Sequence, residues 1–268
     1  MNPGEAPSGG NNVMPQLGIQ LIVFGKRAGQ DLAGVLADVK AAGYDGAEIG
    51  NPAGPGGQVA SDVRGLFDEA GLLCCGYHTG YNAFTDLALL ERTAAHMAQT
   101  GARYLMCSGT AGRDRDGYLR SAETFNTAGR HLAERGVTLC YHNHNWEFED
   151  IGGGEKGIHL LAGNTDPACV KLCVDVFWVA CGGEDPATFV KKYANRAVYF
   201  HYKDGTFEGR QATAFTELGR GQVDLRTAHE AVLAQNPEWI VTEQDHTDGD
   251  PTTSARISAE YARQELGV

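Results

Sequence analysis

The sequence lacks long apolar runs, clusters of basic residues and Cys-x-x-Cys pairs. A membrane-spanning helix needs about 20 consecutive apolar residues, and no stretch of the chain approaches that length. The formal net charge is −12, and an acidic surface without a basic cluster repels the phosphate backbone of nucleic acids. We therefore expect neither a membrane nor a nucleic acid as a partner.

The first residues also lack the basic-then-apolar pattern of a secretory signal. The opening MNPGEAPSGGNNVM is rich in glycine, proline and asparagine, which predicts a disordered leader over 1–14 ahead of a catalytic domain over 15–268. The seven cysteines are an odd number, and Cys107, Cys140 and Cys173 lie in apolar runs, so we predict buried free thiols there. A reducing, cytoplasmic location is the simplest expectation.

Short apolar runs alternate with longer amphipathic stretches along the chain. Strands separated by helices predict a parallel sheet. A doubly wound sheet would carry a GxGxxG motif after its first strand, and VFGKRAG at 23–29 does not supply one. Because a (β/α)₈ barrel typically needs about 250 residues, we predict a single (β/α)₈ TIM barrel of the α/β class. The predicted strands cover residues 17–23, 45–50, 72–78, 102–109, 136–144, 170–177, 197–203 and 238–244.

The predicted helices between these strands carry recognisable start signals. The pairs Asp185-Pro186 and Asp250-Pro251 each place a favoured N-cap residue before a proline suited to the first helical turn. Only the helix after the fifth strand is poorly marked.

Ionisable residues collect at the carboxyl ends of the predicted strands. In a TIM barrel these ends meet at one mouth, where catalytic residues lie. The pattern therefore predicts an active site there. Its candidate residues are Glu48, His78, His142, His144, Glu147, Asp175, His201, Lys203 and Glu243.

Asp175, His201 and Glu243 each lie late in an apolar strand. A buried, unpaired charge is unfavourable, and one divalent cation would satisfy all three side chains. The mostly oxygen donor set suits Mn²⁺ first, with Mg²⁺, Co²⁺ or Zn²⁺ as alternatives. The alternative is structural, with the two acids as caps or ion-pair partners and His201 as a hydrogen-bonded core residue.

The segment YHNHNWEFE at 141–149 supplies further candidates. Strand alternation would place His142 and His144 on one face. A neutral imidazole there would either act as a general acid or base or orient a ligand. Glu147 falls beyond the strand, from where it could fold back to a metal.

The remaining candidates each have two interpretations. Lys203 could stabilise an enolate oxygen or pair with Asp204 or another loop acid. Trp178 could form a wall for a sugar face or pack in the core. For His78 and Glu48 the alternatives are substrate contact and core hydrogen bonding.

These residues and their surroundings resemble the sugar phosphate isomerase/epimerase superfamily of xylose isomerase-like barrels, in its inosose dehydratase-like branch. The similar segments span nearly the whole chain and fall in the expected order. They are YDGAEI (44–49), GVTLCYHNHNWEFE (136–149), KLCVDVFWVACGGEDP (171–186), HYKDG (201–205) and VTEQD (241–245).

The resemblance implies one metal held by ligands from the fifth to eighth strands, with Asp175, His201 and Glu243 as the direct matches. The sequence departs from the family at the fifth strand, where His142 stands in place of the usual glutamate and Glu147 is the nearest replacement. Epimerases of the family also tend to carry a histidine where this chain has Trp178. Both departures favour a histidine-assisted reaction.

The resemblance implies proton abstraction next to a carbonyl by His142 or His144, with Glu243 or Lys203 on another side. We expect a divalent-metal-dependent isomerase or epimerase of a keto sugar or sugar phosphate. A lyase, either a dehydratase or a β-eliminase acting on an inosose or 3-keto glycoside, is the alternative. An abasic-site endonuclease and a non-catalytic sugar-binding barrel are the other hypotheses, and the resemblance also implies a homo-oligomer.

Overall fold

The structure, a computed structural model, describes residues 14–54 and 57–268. The predicted leader therefore lies outside the described residues, apart from Met14. Among the residues that the structure describes, no helix has both the length and the apolar character needed to cross a bilayer.

Eight strands form the barrel: β1 Gln16–Gln20, β2 Gly46–Gly50, β3 Leu73–Gly80, β4 Tyr104–Ser108, β5 Thr138–His142, β6 Val170–Asp175, β7 Ala197–Tyr202 and β10 Trp239–Thr242. All pair in parallel and close in the order β1-β10-β7-β6-β5-β4-β3-β2. The strands are short and largely buried, since one face packs inside the barrel and the other against helices. This topology confirms the predicted TIM barrel.

The helices are α1 Arg27–Gln30, α2 Leu32–Ala41, α3 Ala60–Ala70, α4 Leu87–Thr100, α5 Arg115–Ala133, α6 Gly157–Asn164, α7 Val176–Cys181, α8 Pro186–Lys192, α9 Leu225–Leu233 and α10 Pro251–Tyr261. Asp185 caps α8 by accepting a hydrogen bond from the Thr188 N–H at 2.7 Å. Asp250 caps α10 through the Thr253 N–H at 2.8 Å. Both predicted helix starts are confirmed. The poorly marked helix is α6, whose eight residues give only a weak periodic signal.

Sulfur-containing and aromatic side chains fill the barrel interior on the amino-terminal side of the mouth. Burial raises the pKa of the Cys173 thiol to about 12, so this thiol stays protonated. All seven cysteines are free and buried, as predicted for three of them. The interior residues are Cys75, Met106, Cys140, Cys173, Tyr199, Trp239 and Val241.

Four predicted strands run two or three residues past their observed carboxyl ends, and one of them is the last, which ends at Thr242 rather than at residue 244. β1 ends at Gln20, because Leu21–Phe24 form a 3₁₀ turn. β5 ends at His142, so strand alternation does not reach His144. β6 ends at Asp175, whose side chain caps α7. These boundaries were wrong because the apolar runs continue into turns and helices that also pack against the core.

An antiparallel hairpin that the sequence analysis did not predict follows β7. Its strands are β8 Asp204–Glu208 and β9 Gln211–Thr216. Aromatic residues of the hairpin pack against the start of α7 beside the mouth. We call this group the aromatic wall, and it consists of Phe177, Trp178, Phe207 and Phe215.

Asp204 anchors the segment that follows the hairpin. Its buried carboxylate accepts hydrogen bonds from the N–H groups of Gly219, Gly221 and Val223 at 3.0, 2.9 and 3.2 Å. We expect Asp204→Ala to lower the free energy of unfolding by about 3 kcal/mol, because these N–H groups lose their acceptor. The matched control is Asp224→Ala at an exposed helix cap, with an expected loss of about 1 kcal/mol. Chemical denaturation compares the two, and equal losses would show that Asp204 is not an anchor.

Candidate active site

Four ionisable side chains from neighbouring strands converge at the mouth. His142 ends β5, Asp175 ends β6, His201 lies on β7, and Glu243 directly follows β10. All four are buried, and their potential ligand atoms lie within 4.8 Å of one another. The Nε2 atom of His142 lies 3.5 Å from Oδ2 of Asp175 and 3.4 Å from Oε2 of Glu243. We call this set the His–Asp–His–Glu cluster.

Two atoms of the cluster have no hydrogen-bond partner among the described residues. They are Nε2 of His142 and Oδ2 of Asp175, and both are buried. The other oxygen of Asp175 accepts a hydrogen bond from the Trp178 N–H at 2.9 Å, which fixes the orientation of the carboxylate. Leaving such atoms unpaired is unfavourable. Because two imidazoles and two carboxylates match the donors of Mn²⁺, Co²⁺ or Zn²⁺, the residues present fit a divalent cation.

Lys203 places a buried ammonium group beside the cluster. Its Nζ atom lies 2.7 Å from Oδ1 of Asp245, 3.3 Å from Oε1 of Glu243 and 3.4 Å from Oδ2 of Asp175. Burial alone would lower the pKa of Lys203, but these carboxylates raise it above its ordinary value. Burial would raise the pKa of Glu243, but positive charges, led by Lys203, hold it well below its usual range. The loop acid that pairs with Lys203 is Asp245, whereas Asp204 binds backbone groups.

His144 lies just beyond β5, with its ring centroid 4.8 Å from that of His142. Its ring stacks on Trp146 at 4.0 Å, and the Arg113 guanidinium lies 4.2 Å from the centroid of Trp146. Burial, followed by the charges of His142 and Lys203, keeps the pKa of His144 well below its ordinary value. Its Nδ1 atom has no hydrogen-bond partner within the described ranges. His144 is therefore a neutral imidazole beside the cluster, the form that accepts a proton.

Glu147 does not join the cluster, contrary to the expectation that it supplies the fifth-strand ligand. It lies in the 3₁₀ turn Trp146–Phe148. Its Oε1 atom accepts a hydrogen bond from the Tyr141 hydroxyl at 2.6 Å, and Oε2 accepts one from the His144 N–H at 2.8 Å. Tyr141 and His142 are successive strand residues and point to opposite faces. The turn therefore directs Glu147 away from the cluster, and His142 occupies the fifth-strand position.

Glu48 lies behind the cluster rather than facing open space at the mouth. Its carboxylate has no exposed surface. Oε1 accepts from Nδ1 of His78 at 2.7 Å, and Oε2 accepts from Nε2 of His201 at 2.8 Å. Of its two interpretations, Glu48 makes the core hydrogen bonds, and both of its oxygens are occupied and covered. His78 keeps 14% of its side chain exposed and is the member of the pair that reaches the mouth.

Trp178 belongs to the aromatic wall, with 7% of its surface exposed. Its ring centroid is 5.6 Å from that of His144 and 5.0 Å from Nζ of Lys203. The residue thus packs in the core beside the cluster, and its role as a wall for a sugar face stays a prediction.

Two residues of the site were not singled out from the sequence. Ser108 ends β4, and its Oγ atom lies 2.5 Å from Nε2 of His78 and 3.3 Å from Nδ1 of His142. Asp245 follows Glu243 by two residues and binds Lys203. Ser108 carries no ionisable group to mark it at the end of β4, and Asp245 lies three residues beyond the end of β10.

Sequence comparison connects this geometry with known proteins. A family model described as xylose isomerase-like TIM barrel matches residues 36–265. An inosose dehydratase from Lactiplantibacillus plantarum is 30% identical over 162 residues, 53% of this chain and 52% of the relative. An inosose dehydratase from Clostridium beijerinckii is 26% identical over 182 residues, 60% of this chain and 59% of the relative. The chain spans about half the length of the curated relatives it matches.

Solved structures share the fold over almost the whole chain. A sugar phosphate isomerase/epimerase from Parabacteroides distasonis superposes with a TM-score of 0.80 at 20% identity, covering 95% of this chain and 96% of that one. An L-ribulose 3-epimerase has a TM-score of 0.74 at 18% identity and covers 95% of each chain. At these identities the structures establish the fold alone, whereas the family model covers most of the sequence. The chain belongs to the xylose isomerase-like TIM barrel family.

Proposed function

We propose that this chain is a divalent-metal-dependent isomerase or epimerase of a keto sugar or sugar phosphate that acts through a metal-stabilised enediolate. The observation that carries the proposal is the buried His–Asp–His–Glu cluster with two unpartnered atoms. A charged Lys203 and a neutral His144 lie beside it. The names of the relatives and structural neighbours, inosose dehydratases and sugar epimerases, agree with a small carbohydrate as substrate.

We assign the ion, with Mn²⁺ as the preferred species, to His142, Asp175, His201 and Glu243. When bound, the ion supplies Lewis-acid polarisation of a carbonyl and its neighbouring hydroxyl, which lowers the free energy of the enediolate. His142 is then a ligand rather than the base, because its unpaired Nε2 atom lies within the cluster.

The remaining side chains divide the proton chemistry. His144 takes the proton next to the carbonyl, since it is neutral and its Nδ1 atom is free. Lys203 donates hydrogen bonds to the oxygen on which negative charge develops, from a position fixed by Asp245 and Glu243. Trp178 of the aromatic wall offers an apolar surface against which the C–H groups on one face of a sugar ring can pack. Returning the proton to the adjacent carbon isomerises the substrate, and returning it to the opposite face epimerises it.

A lyase acting on an inosose or 3-keto glycoside is the second candidate. His142 stands where family epimerases carry a glutamate, and Glu147 is directed elsewhere. Among the described residues, His144 is then the free base beside the cluster, and Glu147 offers no carboxylate to reprotonate carbon from the opposite face. In an elimination, the proton that His144 removes could pass to the oxygen of the departing β-hydroxyl or β-linked group, so no group on the opposite face is required.

Proton exchange with solvent tests the proposal directly. The Mn²⁺-loaded chain is incubated in D₂O with keto sugars, sugar phosphates, inososes and 3-keto glycosides, and products are followed by NMR. We expect deuterium next to the carbonyl of one substrate class, with exchange lost in His144→Gln and retained in His159→Gln, a matched histidine on α6. An isomer or epimer supports the leading proposal, and release of water or an aglycone supports the lyase. Exchange in none of the classes would contradict both and favour a sugar-binding barrel.

A further inference from the structure

We propose that Glu48 is a positioning residue that sets the orientation and tautomer of both imidazoles of the cluster, His201 directly and His142 through His78 and Ser108. The inference rests on the metal site proposed above. It assigns a role to three residues that hold no ion themselves and lie behind those that would.

The direct arm joins Glu48 to His201. Both side chains are fully buried, and Oε2 of Glu48 lies 2.8 Å from Nε2 of His201. Both oxygens of Glu48 face imidazole nitrogens, which are the donors that a buried carboxylate requires. An ionised carboxylate only accepts hydrogen bonds, so Nε2 of His201 carries the hydrogen. Nδ1 of His201 is hydrogen-bonded to Glu243 in this structure, and it is the nitrogen left to ligate the ion while Nε2 keeps its hydrogen on Glu48.

The second arm runs from the other oxygen of Glu48 through two side chains. Nδ1 of His78 donates to Oε1 of Glu48 at 2.7 Å. With its one hydrogen used there, Nε2 of His78 accepts the Ser108 hydroxyl hydrogen at 2.5 Å. The Ser108 oxygen in turn accepts from Nδ1 of His142 at 3.3 Å. The carboxylate thereby sets the direction of every bond in the chain.

The two arms have the same result at the cluster. Each imidazole is left with one nitrogen turned toward the cluster, Nε2 of His142 toward Asp175 and Glu243 and Nδ1 of His201 toward Glu243, and these nitrogens would offer their lone pairs to an ion. Lone pairs converging on one region repel each other unless a cation lies between them. Histidines that bind metals usually donate their second ring N–H to a carboxylate or carbonyl, and losing that partner typically costs 10–100-fold in metal affinity. In this chain Glu48 is that partner directly for His201, and it acts on His142 through His78 and Ser108.

The test is Mn²⁺ titration of the full chain, followed by the EPR signal of free Mn²⁺. We expect Glu48→Gln to weaken Mn²⁺ binding by roughly 10–100-fold, because the amide presents a donor to one of the two histidines. The matched control is Glu184→Gln, which alters a similar contact of 2.9 Å to His159 away from the mouth and should leave the affinity unchanged.

Ser108→Ala interrupts the second arm alone, so we expect a smaller loss of affinity. In the Glu48→Gln background, Ser108→Ala should weaken Mn²⁺ binding by a smaller factor than it does in the wild-type chain. Both substitutions act on His142 through the same chain of hydrogen bonds, so their effects are not additive. Unaltered Mn²⁺ affinity in Glu48→Gln would overturn the inference. If Glu48→Gln does not fold, Ser108→Ala decides, because unaltered affinity there would overturn the second arm. A wild-type chain that binds no Mn²⁺ would instead refute the proposed metal site.

Discussion

Glu243→Gln is expected to reduce kcat by roughly 100- to 10,000-fold at saturating Mn²⁺. One oxygen of Glu243 belongs to the His–Asp–His–Glu cluster, and the other lies 3.3 Å from Nζ of Lys203. The neutral amide removes one negatively charged ligand from the cluster. It also weakens the ion pair that holds the Lys203 ammonium group toward the developing oxyanion. Because both effects act on the transition state, kcat should fall more than KM rises.

Steady-state kinetics on the substrate class found by deuterium exchange measure this loss. Glu238→Gln is the matched control, because Glu238 lies before β10 at the opposite end of the barrel and pairs with Tyr104 at 2.9 Å. This control should retain wild-type kcat. Near-normal turnover in Glu243→Gln, with the metal still bound, would contradict the enediolate mechanism.

The Asp175→Ala/His201→Ala double variant is expected to lose its bound metal completely. The wild-type chain should carry about one divalent ion after purification or after Mn²⁺ is offered. Removing two of four donors from a buried cluster leaves too few ligands for tight binding. Elemental analysis of the purified proteins measures the metal content.

The control for the double variant is Asp185→Ala/His159→Ala, which removes a helix cap and an imidazole away from the mouth. Asp175 also caps α7, so Asp175→Asn serves as a third variant with a side-chain oxygen still available to the Trp178 N–H. A wild-type chain without metal, and without uptake when metal is offered, would contradict a metal-dependent reaction and favour a binding barrel.

The barrel and the mouth could be predicted from the sequence because both depend on local patterns. Alternation of apolar runs with amphipathic stretches predicts parallel strands, and the ionisable residues of β5, β6, β7 and β10 fall at strand ends. Parallel register then brings Asp175 beside His201. No long-range information is needed for that step, because the strand ends of a closed barrel always meet.

The side-chain contacts of Glu147 and Glu48 could not be predicted in the same way. Beyond the end of β5 the alternation stops, and a single 3₁₀ turn directs Glu147 to Tyr141 on the other face. Glu48 is a strand-end residue, but its partner His201 lies 153 residues away on a strand that does not neighbour β2. Side-chain contacts across the barrel depend on the lengths and tilts of all the strands, which no local pattern encodes.

The hairpin was missed for a different reason. Its residues alternate weakly, and β9 is mostly exposed or half-buried, so the hydrophobic pattern that marks the barrel strands is absent. The sequence signal for the hairpin is Gly209 in the turn between Glu208 and Gln211, where the structure has a positive φ of 58° that favours glycine.

Asp175 has two functions within one side chain, since Oδ2 faces the cluster and Oδ1 accepts a hydrogen bond from the Trp178 N–H in the first turn of α7. A ligand that fixes one oxygen restrains the other, so cation loading and the ordering of α7 are thermodynamically linked. Binding of a cation to the cluster should therefore also order the aromatic wall, against which a sugar would pack. If the proposed ion binds here, the metal-loaded chain should therefore bind a sugar more tightly than the apo chain, even though the residues that contact the sugar are the same.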